Sequence, residues 1–185
     1  INDDVLNFNE KSLTSEKIIV FGNLPYNIST EILCKWILNL KDKNYWFESL
    51  ILMFQKEVAD RILAKSQTKE FSRLTVLSNW RLEIKKHFNV SRHCFFPKPK
   101  ISSTLLSFKP KIDNYFYLKN PKNLEKITRV LFSNRRKMIN KNFNKLFERK
   151  KSIIKNLNID LNKRPGELSN EMYYEIARQY ENLFD

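Results

Sequence analysis

The segment Lys17-Ile18-Ile19-Val20-Phe21-Gly22-Asn23-Leu24-Pro25-Tyr26 runs from a short β-branched stretch into a glycine, a polar residue and a proline. Short apolar runs bounded by turn residues are typical of buried strands in parallel sheets. Ser29-Thr30-Glu31 then begins a helical pattern. Its apolar positions are Ile32, Leu33, Trp36, Ile37 and Leu40. The segment therefore predicts a strand, a sharp turn and a helix, which together form a unit of an α/β fold.

The sequence continues as an alternation of strand and helix patterns as far as residue 110. Predicted strands occupy residues 49–54, 83–90 and 104–108, and predicted helices occupy residues 57–64 and 73–80. Pro97 and Pro99 restrict their own backbone and that of the preceding residues, which predicts an extended loop between the last two strands. This alternation predicts an α/β fold with a mostly parallel sheet.

The pattern changes after Lys109-Pro110-Lys111, where β-branched residues become few and apolar residues recur at helical spacing. These apolar positions are Leu124, Ile127, Val130, Leu131, Met138, Ile139, Phe143, Leu146, Phe147, Ile153, Ile154 and Leu157. Ser169 is predicted to cap a last helix over Ser169–Gln179. The chain is therefore predicted to divide into an α/β part, residues 1–110, and a small all-α domain, residues 111–185.

The composition excludes several classes of protein. The chain has 185 residues, of which 42% are hydrophobic and 29% are charged, and no uncharged apolar run approaches the roughly 18–20 residues of a membrane span. We expect a cytoplasmic protein that binds no membrane, because a secretory signal pattern is also lacking. Two cysteines are too few for a disulfide scaffold and fit a reducing compartment. Two glycines exclude a Gly-rich phosphate or dinucleotide loop within these residues.

The positive charge is concentrated in one part of the chain. Of the net charge of +14, residues 119–155 carry +11, from 13 basic and 2 acidic side chains. Residues 1–110 carry +6, and residues 156–185 carry −3. An AT-rich coding bias explains an excess of Lys over Arg but not this clustering. The clustering predicts a polyphosphate partner such as a nucleic acid, with a merely solvated surface as the alternative.

Asn23-Leu24-Pro25-Tyr26 stands where a catalytic loop is expected, directly after a predicted strand. An Asn oxygen and a backbone carbonyl can accept hydrogen bonds from the exocyclic amine of a base. These bonds favour a tetrahedral nitrogen whose lone pair is available for methylation, and they stabilise the positive charge that develops. Pro25 stiffens the loop, and Tyr26 offers a flat face on which a base can stack. The alternative is an ordinary turn between a strand and a helix.

The surrounding sequence resembles the small-subunit (16S) rRNA adenine dimethyltransferase family, which includes the bacterial kasugamycin-resistance methyltransferase. Five blocks occur in the family's order: Gly22-Asn23-Leu24-Pro25-Tyr26-Asn27-Ile28-Ser29-Thr30, Gln55-Lys56-Glu57-Val58-Ala59-Asp60-Arg61, Ser72-Arg73-Leu74-Thr75-Val76, Phe95-Phe96-Pro97-Lys98-Pro99-Lys100-Ile101 and Phe132-Ser133-Asn134-Arg135-Arg136-Lys137. Erythromycin-resistance 23S rRNA methyltransferases share the first and fourth blocks. Leu24 and the Arg-Arg-Lys run at 135–137 resemble the small-subunit branch better.

The resemblance implies the C-terminal part of a Rossmann-like methyltransferase sheet followed by an α-helical RNA-binding domain. It implies dimethylation, with S-adenosylmethionine as the methyl source, of two adjacent adenosines near the 3′ end of small-subunit rRNA. Asn23, the Leu24 carbonyl and Pro25 match the block that holds the target amine, and Tyr26 and Phe95 match two aromatic walls around a flipped base. Without the family, Phe95 would be taken as a core aromatic.

The sequence also indicates residues that bind S-adenosylmethionine and residues that bind RNA, with an alternative for each. Asp4, in Asp4-Val5-Leu6, matches the family's acceptor for the adenine amine of S-adenosylmethionine, with Asn23 beside it, although Asp3 competes for this role. Arg135, Arg136, Lys137 and Lys141 are expected to form one helical basic face that contacts phosphates. Arg73, Lys98 and Lys100 provide a second possible path for the RNA. The expected partner is the assembling small ribosomal subunit, bound by a monomer.

One departure from the family keeps a second function open. The family's Gly-rich loop and the acidic residue for the ribose lie upstream of the Asp4 block, where only three residues stand here. We therefore expect a fragment of a longer protein or a truncated chain, with an exposed strand edge and apolar face. The alternative to an enzyme is a noncatalytic rRNA-binding or ribosome-assembly module.

The remaining polar clusters favour structural roles. His87, His93 and Cys94 lack the ligand spacing and the fourth ligand of a zinc site, so no metal is expected. Glu57 and Asp60 at a helix start, beside Lys56 and Arg61, are expected to form ion pairs. Cys34 lies on the apolar face of a predicted helix and is expected in the core.

Overall fold

The strands form one four-stranded sheet. The computed structural model describes residues 2–13, 15–40, 45–113, 116–148, 153 and 156–184. The strands are β1 (Ile18–Asn23), β2 (Phe47–Gln55), β3 (Leu82–Val90) and β4 (Ser103–Pro110), in the spatial order β1-β2-β4-β3. The main helices are α1 (Ser29–Leu38), α2 (Lys56–Leu63), α3 (Arg73–Arg81), α4 (Pro121–Leu131), α5 (Asn140–Leu146) and α6 (Asn170–Phe184). The predicted α/β class is confirmed.

The sequence predicts a mostly parallel sheet. Three of the four described strands do point in the same direction, but two of the three strand pairs are antiparallel. β1 and β2 are parallel and are joined through α1, whereas β4 is antiparallel to both of its neighbours, β2 and β3. Three strands therefore point in the same direction, and β4 is inserted between two of them in the opposite direction. The connection 91–102 contains a 3₁₀ turn at Arg92–Cys94 and no crossover helix, so it joins β3 to β4 as an antiparallel pair.

β1 is less buried than the sequence predicts. It stands at one end of the described sheet, and its exposure alternates along the strand. Ile19 is 51% exposed and Phe21 is 75% exposed, whereas Val20 packs against the core. The expected exposed edge with apolar side chains is thus present at β1. By contrast, β2 is the buried central strand that the sequence predicts, with Leu50, Leu52 and Phe54 fully buried.

The hydrophobic core continues across the predicted domain boundary at residue 110. β4 ends there, and α4 and α6 pack on α3. The Trp80 indole donates to the Phe116 carbonyl at 2.7 Å, and the Tyr174 hydroxyl donates to the Val76 carbonyl at 3.2 Å. The change from strands to helices therefore coincides with residue 110, and the division into two domains remains a prediction.

The helical half follows its predicted pattern with two exceptions among the described residues. Ser169 accepts from the Met172 amide at 3.2 Å, as a cap should, but α6 continues to Phe184 rather than ending at Gln179. Met138, predicted on an apolar face, is 58% exposed. Ile154 lies outside the described residues, as do residues 149–152 and 155 of the basic segment. Among the described residues, no helix has the length and apolar character needed to cross a bilayer.

Candidate active site

The predicted catalytic residues come together around one cleft of about 300 Å³ at the carboxyl end of β1. One wall consists of Asn23, the last residue of β1, with Leu24, Pro25 and Tyr26. The rest of the lining comes from the loop between β3 and β4. It contains Phe95, Phe96, Pro97 and Pro99. Two blocks that are about 70 residues apart in the sequence therefore line the same cleft.

Hydrogen bonds fix the loop that follows β1. The Ile28 amide donates to the Pro25 carbonyl at 3.1 Å, and the Ser29 hydroxyl donates to the Tyr26 carbonyl at 3.2 Å. The Tyr26 and Ser103 hydroxyls are 2.7 Å apart, which ties the loop to the start of β4. The Tyr26 ring is therefore held by a long-range contact and not only by its own turn.

Gly22 has a packing role that the sequence analysis did not assign. A Cβ at this position would lie 2.7 Å from Leu52 Cδ2 and 3.2 Å from Leu24 Cδ2. The first distance is shorter than real Cβ contacts allow, and Leu52 is fully buried in β2. The absence of a side chain therefore lets β1 approach its neighbour while Leu24 keeps its place in the cleft wall.

Phe95 does not belong to the hydrophobic core, so its interpretation as a core aromatic is wrong. It is half-buried, lines the cleft and is absent from the group of side chains that pack in or against the core. Its backbone is extended, with φ −121° and ψ 147°. The ring is thus available to a ligand in the cleft that Asn23 and Tyr26 also line.

Asp4 organises a tight turn at the start of the chain. Its carboxylate accepts from the Leu6 amide at 3.0 Å and from the Asn7 side-chain amide at 2.7 Å. The neighbouring Asp3 carboxylate accepts from the Asp4 amide at 2.8 Å. Asp4 is exposed, and a carboxylate offers about four acceptor positions. It can therefore hold this turn and still accept a hydrogen bond from a ligand.

Lys35 of α1 connects this turn to the helix that follows the cleft. Its ammonium donates to the Val5 carbonyl, the Phe8 carbonyl and the Glu10 carboxylate at 2.5–2.7 Å. The Trp36 indole donates to the same Glu10 oxygen at 2.6 Å. The Lys35 and Glu10 side chains are only 16% and 10% exposed. The sequence analysis missed this pair because its partners are about 25 residues apart.

Replacing Lys35 by Met is expected to loosen the Asp4 turn. The change leaves the buried Glu10 carboxylate without its cation, a loss that costs about 3 kcal/mol when an ion pair is broken from one side. Amide exchange at Leu6, Asn7 and Phe8 should accelerate at least tenfold, whereas α1 should remain protected. Hydrogen exchange read by mass spectrometry measures both. The Lys35→Arg variant, which keeps the charge, is the control, and equal exchange in all three proteins would contradict the role of Lys35.

Basic side chains line a groove on the helical half. Arg136, Lys137, Lys141 and Arg164 surround one depression, and Arg136 and Arg164 also border a second depression beside Lys69. We call these five residues the basic groove. Backbone hydrogen bonds join its segments, from the Ile139 amide to the Lys163 carbonyl and from the Gln67 amide to the Gly166 carbonyl. Arg164 escaped the sequence analysis because it follows Lys163 in residues 156–185, where acidic side chains outnumber basic ones.

The predicted single helical basic face is wrong. Phe132–Asn134 forms a 3₁₀ turn, residues 135–137 lie in a turn, and only Lys141 is on α5. Ser133 is one cause, because its hydroxyl donates to the Val130 carbonyl and accepts from the Asn142 amide group. Arg136 and Lys137 nevertheless line the same depression as Lys141.

The other side chains predicted to contact RNA differ in whether they already form hydrogen bonds or ion pairs within the protein. Arg135 donates to the carbonyls of Lys69 and Thr68 and so holds the loop before α3. Arg73 forms an ion pair with Glu125 at 2.7 Å, which joins α3 to α4. Lys98 and Lys100 are exposed on the loop beside the cleft. Of the predicted RNA contacts, Lys98 and Lys100 beside the cleft and Arg136, Lys137 and Lys141 in the basic groove are therefore exposed.

The polar clusters outside these sites have structural partners. Glu57 pairs with Arg61 and Asp60 with Lys56, as predicted. His87 lies 2.8 Å from the Ser107 hydroxyl, and the described residues contain no group of three or more potential metal ligands. Cys34 packs against the core, where burial raises the pKa of its thiol to about 11. Cys34 is thus partly buried at the edge of the core, whereas the sequence predicts a position inside it.

Comparison with known proteins places the chain in the class of protein that its fold and its cleft also indicate. The sequence matches the family described as ribosomal RNA adenine dimethylase over residues 1–182. A ribosomal RNA small subunit methyltransferase A from Pelagibacter ubique (strain HTCC1062) is 52% identical, covering 99% of this chain and 69% of that protein. A protein of the same name from Wolbachia sp. subsp. Drosophila simulans (strain wRi) is 38% identical, covering 100% of this chain and 66% of that protein.

A solved structure shares the fold. The dimethyladenosine transferase from Plasmodium falciparum superposes with a TM-score of 0.76 at 23% identity, covering 98% of this chain and 72% of that chain. The chain thus spans about two thirds of the length of the curated relatives it matches. It belongs to the ribosomal RNA adenine dimethylase family, which confirms the resemblance found in its sequence blocks.

Proposed function

We propose that this chain forms the target-base cleft and the RNA-binding surface of an rRNA adenine dimethyltransferase. Its substrate is the N6 amine of two adjacent adenosines near the 3′ end of small-subunit rRNA. The convergence of Asn23, Leu24, Pro25, Tyr26 and Phe95 on one cleft is the observation that carries the proposal. Family membership also favours the enzyme over a noncatalytic assembly module, which would have no use for this arrangement.

The two walls of the cleft suit a base that has left its stack. An adenine must rotate out of a helical stem or loop before its amine can react, at a cost of a few kcal/mol. Tyr26 and Phe95 both line the cleft, and each aromatic–base stack contributes about 1–3 kcal/mol. In the proposal the two rings offset the cost of unstacking and hold the adenine between them.

Asn23 and Leu24 act on the amine itself. The Asn23 side-chain oxygen and the Leu24 carbonyl accept hydrogen bonds from the two N–H groups of the amine. These bonds draw the nitrogen toward tetrahedral geometry and stabilise the positive charge that forms during transfer. Pro25 limits the motion of the loop, so the acceptors are in place before the base arrives. No strong base is needed, because the amine loses its proton only after its lone pair has reacted.

S-adenosylmethionine fits the residues at the start of the chain. It supplies a methyl group activated by a positively charged sulfur. Asp4, exposed and with acceptor positions to spare, would accept from its adenine amine, and Asn23 would lie beside it. Lys35 keeps the Asp4 turn in place. In this proposal the basic groove contacts phosphates of the rRNA, as do Lys98 and Lys100. The protein acts as a cytoplasmic monomer on the assembling small subunit.

Methyl transfer to small-subunit rRNA tests the proposal. The native protein is incubated with isotopically labelled S-adenosylmethionine and either naked small-subunit rRNA or subunit particles. Nuclease digestion and mass spectrometry should then locate N6,N6-dimethyladenosine at two adjacent positions near the 3′ end. Tight rRNA binding without any transfer would contradict the proposal and support the noncatalytic alternative.

A further inference from the structure

Phe96 is fully exposed at the rim of the cleft. It lines the cleft beside Phe95, yet its ring has no contact with the hydrophobic core. Burying a Phe side chain stabilises a fold by about 1.5–3 kcal/mol, and the exposed Phe96 ring does not provide this stabilisation. An aromatic ring kept in water next to a base-binding cleft is therefore available to a ligand.

The loop that carries Phe96 is braced before any ligand binds. The Cys94 amide donates to the Ser91 carbonyl at 3.0 Å, and the His93 amide donates to the Ser91 hydroxyl at 3.3 Å. The Arg92 guanidinium lies 3.5 Å from the Lys100 carbonyl and links the two ends of the loop. Two prolines further restrict the chain. Little conformational freedom is left to lose when a ligand meets the ring.

Phe96 and Phe95 cannot act on the same face of one base. Phe95 has an extended backbone, and successive side chains of an extended chain point in opposite directions. The half-buried ring of Phe95 and the fully exposed ring of Phe96 agree with this divergence. If Phe95 closes on the target adenine, Phe96 is left to meet a different group of the substrate.

The charges around Phe96 favour a nucleic acid over an apolar protein surface. Residues 91–102 contain Arg92, Lys98 and Lys100 and no acidic residue. All three cations are exposed. An aromatic ring flanked by cations is the combination that binds single-stranded nucleic acid, in which the ring stacks on a base and the cations contact phosphates.

We propose that Phe96 stacks on the base of the unpaired nucleotide next to the target adenosine. It thereby forms a second base-binding position outside the cleft. This inference rests on the proposed function, since it takes an RNA strand with a flipped adenosine as the substrate. The ligand class is an unstacked base in a single-stranded loop, and the ring is expected to accept any base, because every base has a π-face.

The test compares Phe96→Ala with Phe96→Tyr and with Phe88→Ala as a matched control. Phe88 is 58% exposed on β3 and does not line the cleft. The probe is an RNA hairpin that carries the target loop, with 2-aminopurine next to the target adenosine. Phe96→Ala should weaken hairpin binding about 5- to 150-fold, the effect of one lost base–aromatic stack. The Phe96→Tyr and Phe88→Ala variants should bind like the wild type.

Fluorescence gives the readout specific to stacking. The 2-aminopurine signal should be quenched when the wild type and Phe96→Tyr bind, but not when Phe96→Ala binds. Wild-type affinity and quenching in Phe96→Ala would overturn the inference. So would a defect seen only with protein-containing subunit particles, which would indicate a protein partner. Both results can occur while methyl transfer to adenosine is intact, so failure here is distinct from failure of the proposed function.

Discussion

Replacing Asn23 by Ala is expected to reduce methyl transfer by at least 10²–10³-fold, the typical effect of losing one preorganised polar group at the reacting atom. Asn23 is the last residue of β1 and lines the same cleft as Phe95. Its oxygen is proposed to contact the amine most strongly in the transition state, so rRNA binding should change by no more than a few-fold. Single-turnover transfer at saturating rRNA measures the first effect, and an equilibrium titration measures the second.

Asn27 provides the matched control for this experiment. It is an exposed Asn of the same loop and does not line the cleft. Asn27→Ala should therefore transfer methyl groups at the wild-type rate. Near wild-type turnover in Asn23→Ala would show that the amine is held elsewhere. A parallel loss of rRNA affinity would show that Asn23 serves the RNA rather than the reacting nitrogen.

Removal of three cations from the basic groove is expected to have the largest effect on rRNA affinity. The variant combines Arg136→Ala, Lys137→Ala and Lys141→Ala, which line one depression. Each lost phosphate contact should reduce the slope of log K against log salt by about 0.7–0.9, so the triple variant should flatten it by about two to three units. Titrations at several salt concentrations measure the slope, and the weakening should be similar for different RNA sequences.

Lys85, Lys86 and Lys109 supply the charge-matched control. They are exposed on β3 and β4, so their replacement by Ala removes the same charge away from the basic groove. An unchanged slope in the groove variant would mean that the groove is merely solvated and that the RNA runs past Lys98 and Lys100. Arg135→Ala should behave differently from the groove variant and from the control variant. It should destabilise the loop before α3 by about 1 kcal/mol, because Arg135 donates to backbone carbonyls of that loop, and it should change the salt slope little.

The sequence was sufficient for the local elements and for the residues that meet at the cleft. β2 and α2 begin and end within two residues of their predicted limits, because buried apolar runs and helical periodicity depend on local spacing. The blocks around Asn23 and Phe95 were predicted to face one base, and they line one cleft. The resemblance to the family related the two blocks, because the residues around Phe95, taken without it, favour a core position.

Tertiary contacts decided the features that depend on distant residues. The insertion of β4 between β2 and β3, and the exposure of Phe21 on β1, depend on strand order, which periodicity does not contain. The basic run at 135–137 was predicted from charge alone. Packing gives the two arginines different contacts: Arg135 binds backbone carbonyls at the border of the second depression, whereas Arg136 lines both depressions with Arg164.

The same distinction applies to the turn that carries Asp4. A local pattern identified Asp4 as a candidate ligand, but the ammonium that holds its turn comes from Lys35, one helix further along the chain. A hydrogen bond or an ion pair forms wherever folding brings two groups within about 3 Å, whatever their separation in sequence. Sequence spacing therefore determined which segments form strands, helices and loops in this protein, and the packing of those segments decided which of its charged side chains are free to meet RNA.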